Sequence, residues 1–251
     1  MSQRGPAFTP LGAIAVLSIS FATFLVAFTV AVGVGAPPLV AVVLGQLVLL
    51  AAPLIACTRT RRPLAAIGLA RPRGRLLVAA VLIGASMWFI NLRLSSLLPL
   101  PKGQVLELEK AVEGPQLAAA LVVIALVPAV CEELLFRGLV LRGLASHYIP
   151  IGAITMTAAL FSLYHLSVVQ LLPTFTLGLA LGVLALRGES VIPAMLAHLL
   201  NNAAAILVAR RELPGAGWID QHTGATLAIA AATTTAGVVL AARSPKPRTA
   251  A

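Results

Sequence analysis

The sequence predicts an all-α protein, a polytopic integral membrane bundle of about eight transmembrane helices that forms one membrane domain over residues 1–251. Three observations support this fold class. The chain is 59% hydrophobic and only 10% charged, whereas a soluble domain is about 45–50% apolar and about 25% charged. Its mean hydropathy is +1.00. Its apolar residues also fall in runs close to the roughly 20 residues that a helix needs to cross a bilayer.

Eight apolar runs define the predicted spans. The first run is too long for a signal peptide and lacks a polar cleavage region, so we interpret it as a true span. The sixth run is short and follows the fifth directly through Pro173, which suggests a break in the helix at that point. The runs are 11–35, 37–57, 76–98, 117–136, 152–172, 173–187, 190–209 and 223–242.

The basic residues predict the orientation. With the N-terminus inside, thirteen of the eighteen lysines and arginines lie on the inner side, as the positive-inside rule requires of cytoplasmic segments. Both termini are therefore predicted to be cytoplasmic, and the arginine and alanine bias favours a bacterial inner membrane. The net charge of +10 lies in short clusters between apolar runs, so the expected partner is the lipid bilayer and not nucleic acid. Residues 244–251 are predicted to be a disordered tail.

Two adjacent carboxylates end the fourth apolar run. An ionisable side chain inside a span costs at least about 2.5–3.5 kcal/mol for the worst types, so each one indicates a function. Glu133 and Arg137 are four residues apart with the acid first, the favourable order for an ion pair. Successive helical residues point about 100° apart, so Glu132 faces another helix or a cavity. The structural alternative is that both glutamates only extend towards the inner water layer.

Two further runs carry polar residues at depth. His165 lies well inside the fifth run, and His198 lies inside the seventh with Asn202 four residues later on the same face and Asn201 beside it. Taken singly, each buried histidine is more often a hydrogen-bonded core residue than a catalyst. Together with Glu132 these groups need one another in lipid, and we expect them to converge on a wet cavity open to the inner side.

Three chemistries fit these residues. A glutamate and a histidine can deprotonate a water, while a second histidine and an asparagine amide can stabilise an oxyanion; together they make a hydrolytic site for an acyl bond. Glutamate and histidine can instead bind zinc, although the spacing is not His-Glu-x-x-His, and Cys57 and Cys131 give no zinc spacing either. A proton relay in a transporter also uses such groups.

The residues resemble a known family at this point. Glu132-Glu133-x-x-x-Arg137, Phe161-x-x-x-His165 and His198-x-x-x-Asn202, in this order on separate spans, are similar to the motifs of the CAAX protease and bacteriocin-processing (Abi) family. This family of intramembrane endopeptidases includes the type II CAAX prenyl protease. The resemblance covers residues 117–205.

The resemblance implies an eight-helix bundle with a glutamate-dependent hydrolytic site reachable from the cytosol. Glu132 and His165 would activate water, and His198 and Asn202 would stabilise the oxyanion. Glu133 and Arg137 would support them, and Phe161 would pack beside His165. Members have been described both as metalloproteases and as metal-free enzymes; a metal-free site is favoured because an asparagine fits an oxyanion donor better than a zinc ligand.

The expected substrate is a membrane-tethered or lipid-bearing polypeptide: a prenylated CAAX tail, a bacteriocin leader or a protein with a C-terminal membrane tail. The alternative functions are a non-catalytic membrane peptide-binding or immunity partner and a small transporter. For Glu132 to lie as deep as His165, the fourth helix must continue beyond Phe136 through Arg142. The sequence predicts that it does, with its arginines extending to the interface.

Overall fold

The computed structural model describes residues 8–60, 62–98, 101–114, 116–213 and 215–244. This part of the chain is helical, without strands. Of the predicted tail, only Ser244 lies within the described residues; its hydroxyl donates to the Leu240 carbonyl at 3.1 Å. The main helices are α1 Pro10–Gly33, α2 Pro38–Thr58, α3 Gly74–Ser95, α4 Lys102–Glu113, α5 Leu117–Ala145, α6 Pro150–Tyr164, α7 Val168–Gly188, α8 Ile192–Ala209 and α9 Thr223–Ala242.

Seven of the described helices are long and apolar enough to cross a membrane, namely all of these except α4 and α6. Helix α6 is apolar but has only 15 residues, about 22 Å at 1.5 Å per residue. The predicted polytopic all-α bundle is therefore confirmed. The predicted total of eight spans is reached only when the short α6 is counted with the seven.

The predicted boundary between the fifth and sixth spans is wrong. Helix α6 ends at Tyr164, and Leu166 has a left-handed φ of 48°, so the chain turns seven residues before Pro173. Helix α7 begins at Val168 and passes through that proline. Because proline has no N–H, it leaves the Val169 carbonyl without its helical partner. The Ser95 hydroxyl of α3 donates to this carbonyl at 3.2 Å, so the helix continues.

Helix α4 lies between the third and fourth predicted spans, and it covers the break between α6 and α7. The first N–H groups of a helix have no partner within it, and such groups are costly in a bilayer. The Gln104 side-chain oxygen accepts from the Val168 N–H at 3.0 Å and from the Ser167 hydroxyl at 3.3 Å. The segment Lys102–Glu113 is amphipathic and carries charges of both signs. It contains no long apolar run, so the sequence did not predict this helix.

Helix α3 lies at the centre of the bundle, where it packs against α7, α8 and α9. Gly84 allows its close approach to α8, since a Cβ there would lie 2.5 Å from the Ala197 carbonyl oxygen. Helix α5 continues to Ala145, which confirms its predicted extension. Glu132 therefore lies thirteen residues from that end, with the π-helical segment Leu134–Val140 between them, and His165 lies fifteen residues from the start of α6.

Candidate active site

The candidate site contains a fully buried ion pair. Glu133 and Arg137, on one face of α5, have no exposed side-chain surface, and Arg137 Nη1 donates to Glu133 Oε1 at 2.7 Å. His198 Nδ1 of α8 lies 2.9 Å from the same oxygen. The ion pair predicted from the four-residue spacing is therefore present. It also joins α5 to the histidine of α8.

Arg137 has two further contacts that stabilise its buried charge. Its Nη2 donates to the Gly178 carbonyl of α7 at 3.3 Å. Its guanidinium lies 4.4 Å from the centre of the Phe161 ring of α6, within the range of a cation–π interaction. Gly178 permits this packing because a Cβ there would lie 3.0 Å from Ala158 and 3.5 Å from Arg137 Nη2. Arg137 thus connects α5, α6 and α7 behind the two histidines.

Glu132 points to a different helix from Glu133, as expected for adjacent helical residues. It is 4% exposed, and its Oε1 accepts from Gln46 Nε2 of α2 at 2.8 Å. Its second oxygen, Oε2, is buried and has no hydrogen-bond partner among the described residues. Such an atom in a native structure calls for a functional explanation. This carboxylate therefore presents one oxygen that is held and one that can accept a proton.

His165 ends α6 with a defined tautomer. Its Nδ1 lies 2.8 Å from the Phe161 carbonyl oxygen, which can only accept, so Nδ1 carries the proton and Nε2 of the neutral ring has the lone pair. The Phe161 ring contacts both His165 and His198, with ring centres 4.9 and 5.8 Å apart respectively. His165 also lies within electrostatic range of Glu132. The packing role predicted for Phe161 is confirmed, and it lies between the histidines.

Asn202 donates a hydrogen bond to the backbone of α5. Pro128 has no N–H, so the Ile124 carbonyl cannot receive the usual helical bond; Asn202 Nδ2 donates to that carbonyl at 3.3 Å. Its Oδ1 accepts from Asn201 Nδ2 at 3.1 Å, which fixes the orientation of the amide. Because an amide nitrogen has two hydrogens, one N–H of Asn202 remains beyond the bond to Ile124.

A second layer of polar residues supports Asn201 from α3 and α7. Asn91 Nδ2 donates to Asn201 Oδ1 at 3.4 Å, and the Thr176 hydroxyl donates to Asn91 Oδ1 at 2.9 Å. Both asparagines are buried, at 6% and 7% exposed. These bonds couple three helices to the amide of Asn202 through one chain of side chains.

The structure brings most of the predicted site residues together. His198 bonds directly to Glu133, and both histidines share the Phe161 ring. Sequence reasoning missed Gln46 and Asn91, which contact the site from α2 and α3. Each is the kind of isolated polar residue in an apolar run that indicates a function in a membrane protein. Applying that rule to neutral amides as well as to charges identifies both.

Two carboxylate oxygens of the site are already engaged by protein groups. Within the described ranges, no group of three or more His, Cys, Asp and Glu side chains is placed to hold one. Glu133 Oε1 is already shared by Arg137 and His198, and Glu132 Oε1 is bonded to Gln46. A zinc site needs three or four such ligands free to converge.

Comparison with known proteins agrees with the motifs. Residues 114–204 match the family model described as Type II CAAX prenyl endopeptidase Rce1-like. No curated protein and no solved structure gives a match. The matched range includes the buried ion pair, both histidines and Asn202, whereas Gln46 and Asn91 lie outside it. The apolar helices and this domain make the chain an integral membrane protease. Residues 114–204 thus form an Rce1-like type II CAAX prenyl endopeptidase domain, and the CAAX protease family is the one that the motifs predicted.

Proposed function

We propose that the chain is a glutamate-dependent intramembrane endopeptidase that hydrolyses a peptide bond in a membrane-tethered or lipid-bearing polypeptide. One observation carries the proposal: Glu132 Oε2 is a buried acceptor without a partner among the described residues, and His165, whose Nε2 has the lone pair, lies within electrostatic range of this carboxylate. Two acceptors so placed are the groups that hold and deprotonate a water. The activated water attacks the carbonyl carbon, and the proton goes to the leaving amine.

His198 and Asn202 are assigned to the oxyanion. His198 Nδ1 donates to Glu133, so its Nε2 donates to an oxyanion only when the ring carries both protons. The second N–H of Asn202 adds a neutral donor beside it.

We assign this chemistry to the side chains without a bound metal. The support comes from the engaged oxygens of Glu132 and Glu133 and from Asn202, whose amide is a poor zinc ligand.

For localisation we propose a bacterial inner membrane with both termini in the cytoplasm, from the excess of arginine on that side. The second candidate function is a membrane partner or immunity factor that binds a peptide without cutting it.

A comparison of protein termini tests the function directly. Membrane proteins and peptides are taken from cells with the native chain and from cells with Glu132→Ala at matched expression. We expect a defined set of new termini that appears only with the native chain, and these termini identify the substrates. A synthetic peptide that spans one such terminus, with a quenched fluorophore pair, then serves as the reporter peptide. Identical termini in both strains, with the variant folded, would favour the peptide-binding alternative.

The two roles of Asn202 can be separated with a proline substitution. Asn202→Ala removes both an oxyanion donor and the partner of the Ile124 carbonyl, so it affects turnover and stability together. In a Pro128→Ala background, the restored N–H of residue 128 can bond to that carbonyl. We expect Asn202→Ala in this background to keep its stability but still lose roughly 10²–10³ in turnover of the reporter peptide. Full turnover there would show that Asn202 is only structural.

A further inference from the structure

A residue outside the matched domain contacts the proposed base. Gln46 lies on α2 and is 5% exposed, and its Nε2 donates to Glu132 Oε1 at 2.8 Å. The domain match begins at residue 114, so no family motif discussed above includes Gln46. Its own side-chain oxygen, Oε1, is buried without a partner in the described part of the chain.

This contact decides which oxygen of Glu132 is free. A carboxylate can rotate and exchange its two oxygens unless a donor holds one of them. With Oε1 bonded to Gln46, only Oε2 is left to take a proton. A hydrogen bond to a charged group is stronger than one between neutral groups, so this bond keeps the carboxylate in one orientation.

Among the described residues, no second hydrogen bond of the Gln46 side chain offsets the desolvation cost of this buried amide. Within the described residues, its only hydrogen bond is the one to Glu132, and its oxygen is left unsatisfied. An apolar side chain of similar size would pack into α2 and α5 without that desolvation cost. Packing therefore gives no reason for an amide at this position, whereas orientation of the carboxylate does.

We propose that Gln46 is a positioning residue for the reaction: it holds Glu132 Oε1 so that Oε2 faces the water to be activated. This inference rests on the proposed function, since it assigns Gln46 a role through Glu132. It also means that the catalytic geometry of the matched domain depends on the N-terminal part of the chain. Gln46 itself does not touch the reacting atoms.

Kinetics of full-length Gln46→Met test the proposal with the reporter peptide in lipid vesicles. Methionine keeps the length and volume of the side chain but cannot donate. We expect kcat to fall about 10–100-fold, the loss of one hydrogen bond to a charged group, with KM unchanged because Glu132 acts on water. Leu49→Met, buried one turn along α2, is the matched control and should keep native kcat.

The results distinguish this inference from the proposed function. Native kcat in folded Gln46→Met, or a change in KM alone, would overturn the positioning role. If Gln46→Met does not fold, Gln46→Asn replaces it. The asparagine side chain stays polar but is one methylene shorter, so its amide is too far from Glu132 to donate, and we expect the same loss of kcat. Full turnover by Glu132→Gln would refute the proposed function itself. Loss of turnover in Glu132→Gln but not in Gln46→Met would refute only this inference.

Discussion

Replacing Glu132 by glutamine is expected to lower turnover of the reporter peptide by about 10²–10⁴-fold, the usual contribution of a general base. Glutamine has nearly the shape of glutamate, and its side-chain oxygen can still accept the bond from Gln46 Nε2 that Glu132 receives at 2.8 Å. The fold should therefore be retained. Only the proton-accepting carboxylate is lost. The measurement is the initial rate in lipid vesicles, with substrate above the KM of the native protein.

Two controls make this result specific. His165→Gln should cause a loss of similar size, because it removes the second acceptor without disturbing the buried ion pair. Treatment of the native protein with EDTA should leave the rate unchanged, since the two carboxylates already have protein partners. A rate in Glu132→Gln within a few fold of native would contradict the role of the carboxylate. Loss of activity in EDTA, restored by zinc, would contradict a metal-free site.

Removal of the Arg137 charge is expected to give the largest loss of stability. In Arg137→Leu, Glu133 remains fully buried, and in the described part of the chain His198 is then its only side-chain hydrogen-bond partner. Breaking one side of a buried ion pair costs about 3–5 kcal/mol. The cation–π contact with Phe161 and the bond to the Gly178 carbonyl are lost as well. The free energy of unfolding in mixed detergent micelles measures the effect.

A double variant separates charge from packing at this pair. Glu133→Gln with Arg137→Leu removes both charges of the ion pair, so we expect it to recover most of the stability lost in Arg137→Leu. Its turnover should stay low, because His198 loses the carboxylate that orients its ring. An unfolding free energy of Arg137→Leu equal to that of the native protein would contradict a structural role for the ion pair.

The fold class followed from composition because a bilayer restricts spanning segments to apolar helices of fixed length. The ion pair of Glu133 and Arg137 followed from local spacing, which needs no knowledge of the tertiary structure. The break between α6 and α7 could not be predicted from the sequence. The position of a break in a long apolar run depends on contacts with residues of other helices. Ser95 supplies the bond that lets α7 pass through Pro173.

The residues of the candidate site also divide into those that the sequence predicted and those that it did not. The motif residues on α5, α6 and α8 could be predicted because acids and histidines are rare and costly inside spans. Gln46 and Asn91 could not be assigned to the site, since a neutral amide is less costly and its partner lies on another helix. The structure shows those partners to be Glu132 and Asn201. The bond from Asn202 to the Ile124 carbonyl also depends on a proline far along the chain.

The short length of α6 has a consequence for the choice of the bond to be cut. Since α6 has 15 residues before His165, we expect it to set the distance between the site and the membrane face at which Pro150 would lie. An extended peptide advances about 3.3–3.6 Å per residue, so the height of about 22 Å equals roughly six or seven substrate residues. Selection of the cleaved bond would then follow from its distance along the chain to that face as much as from side-chain identity.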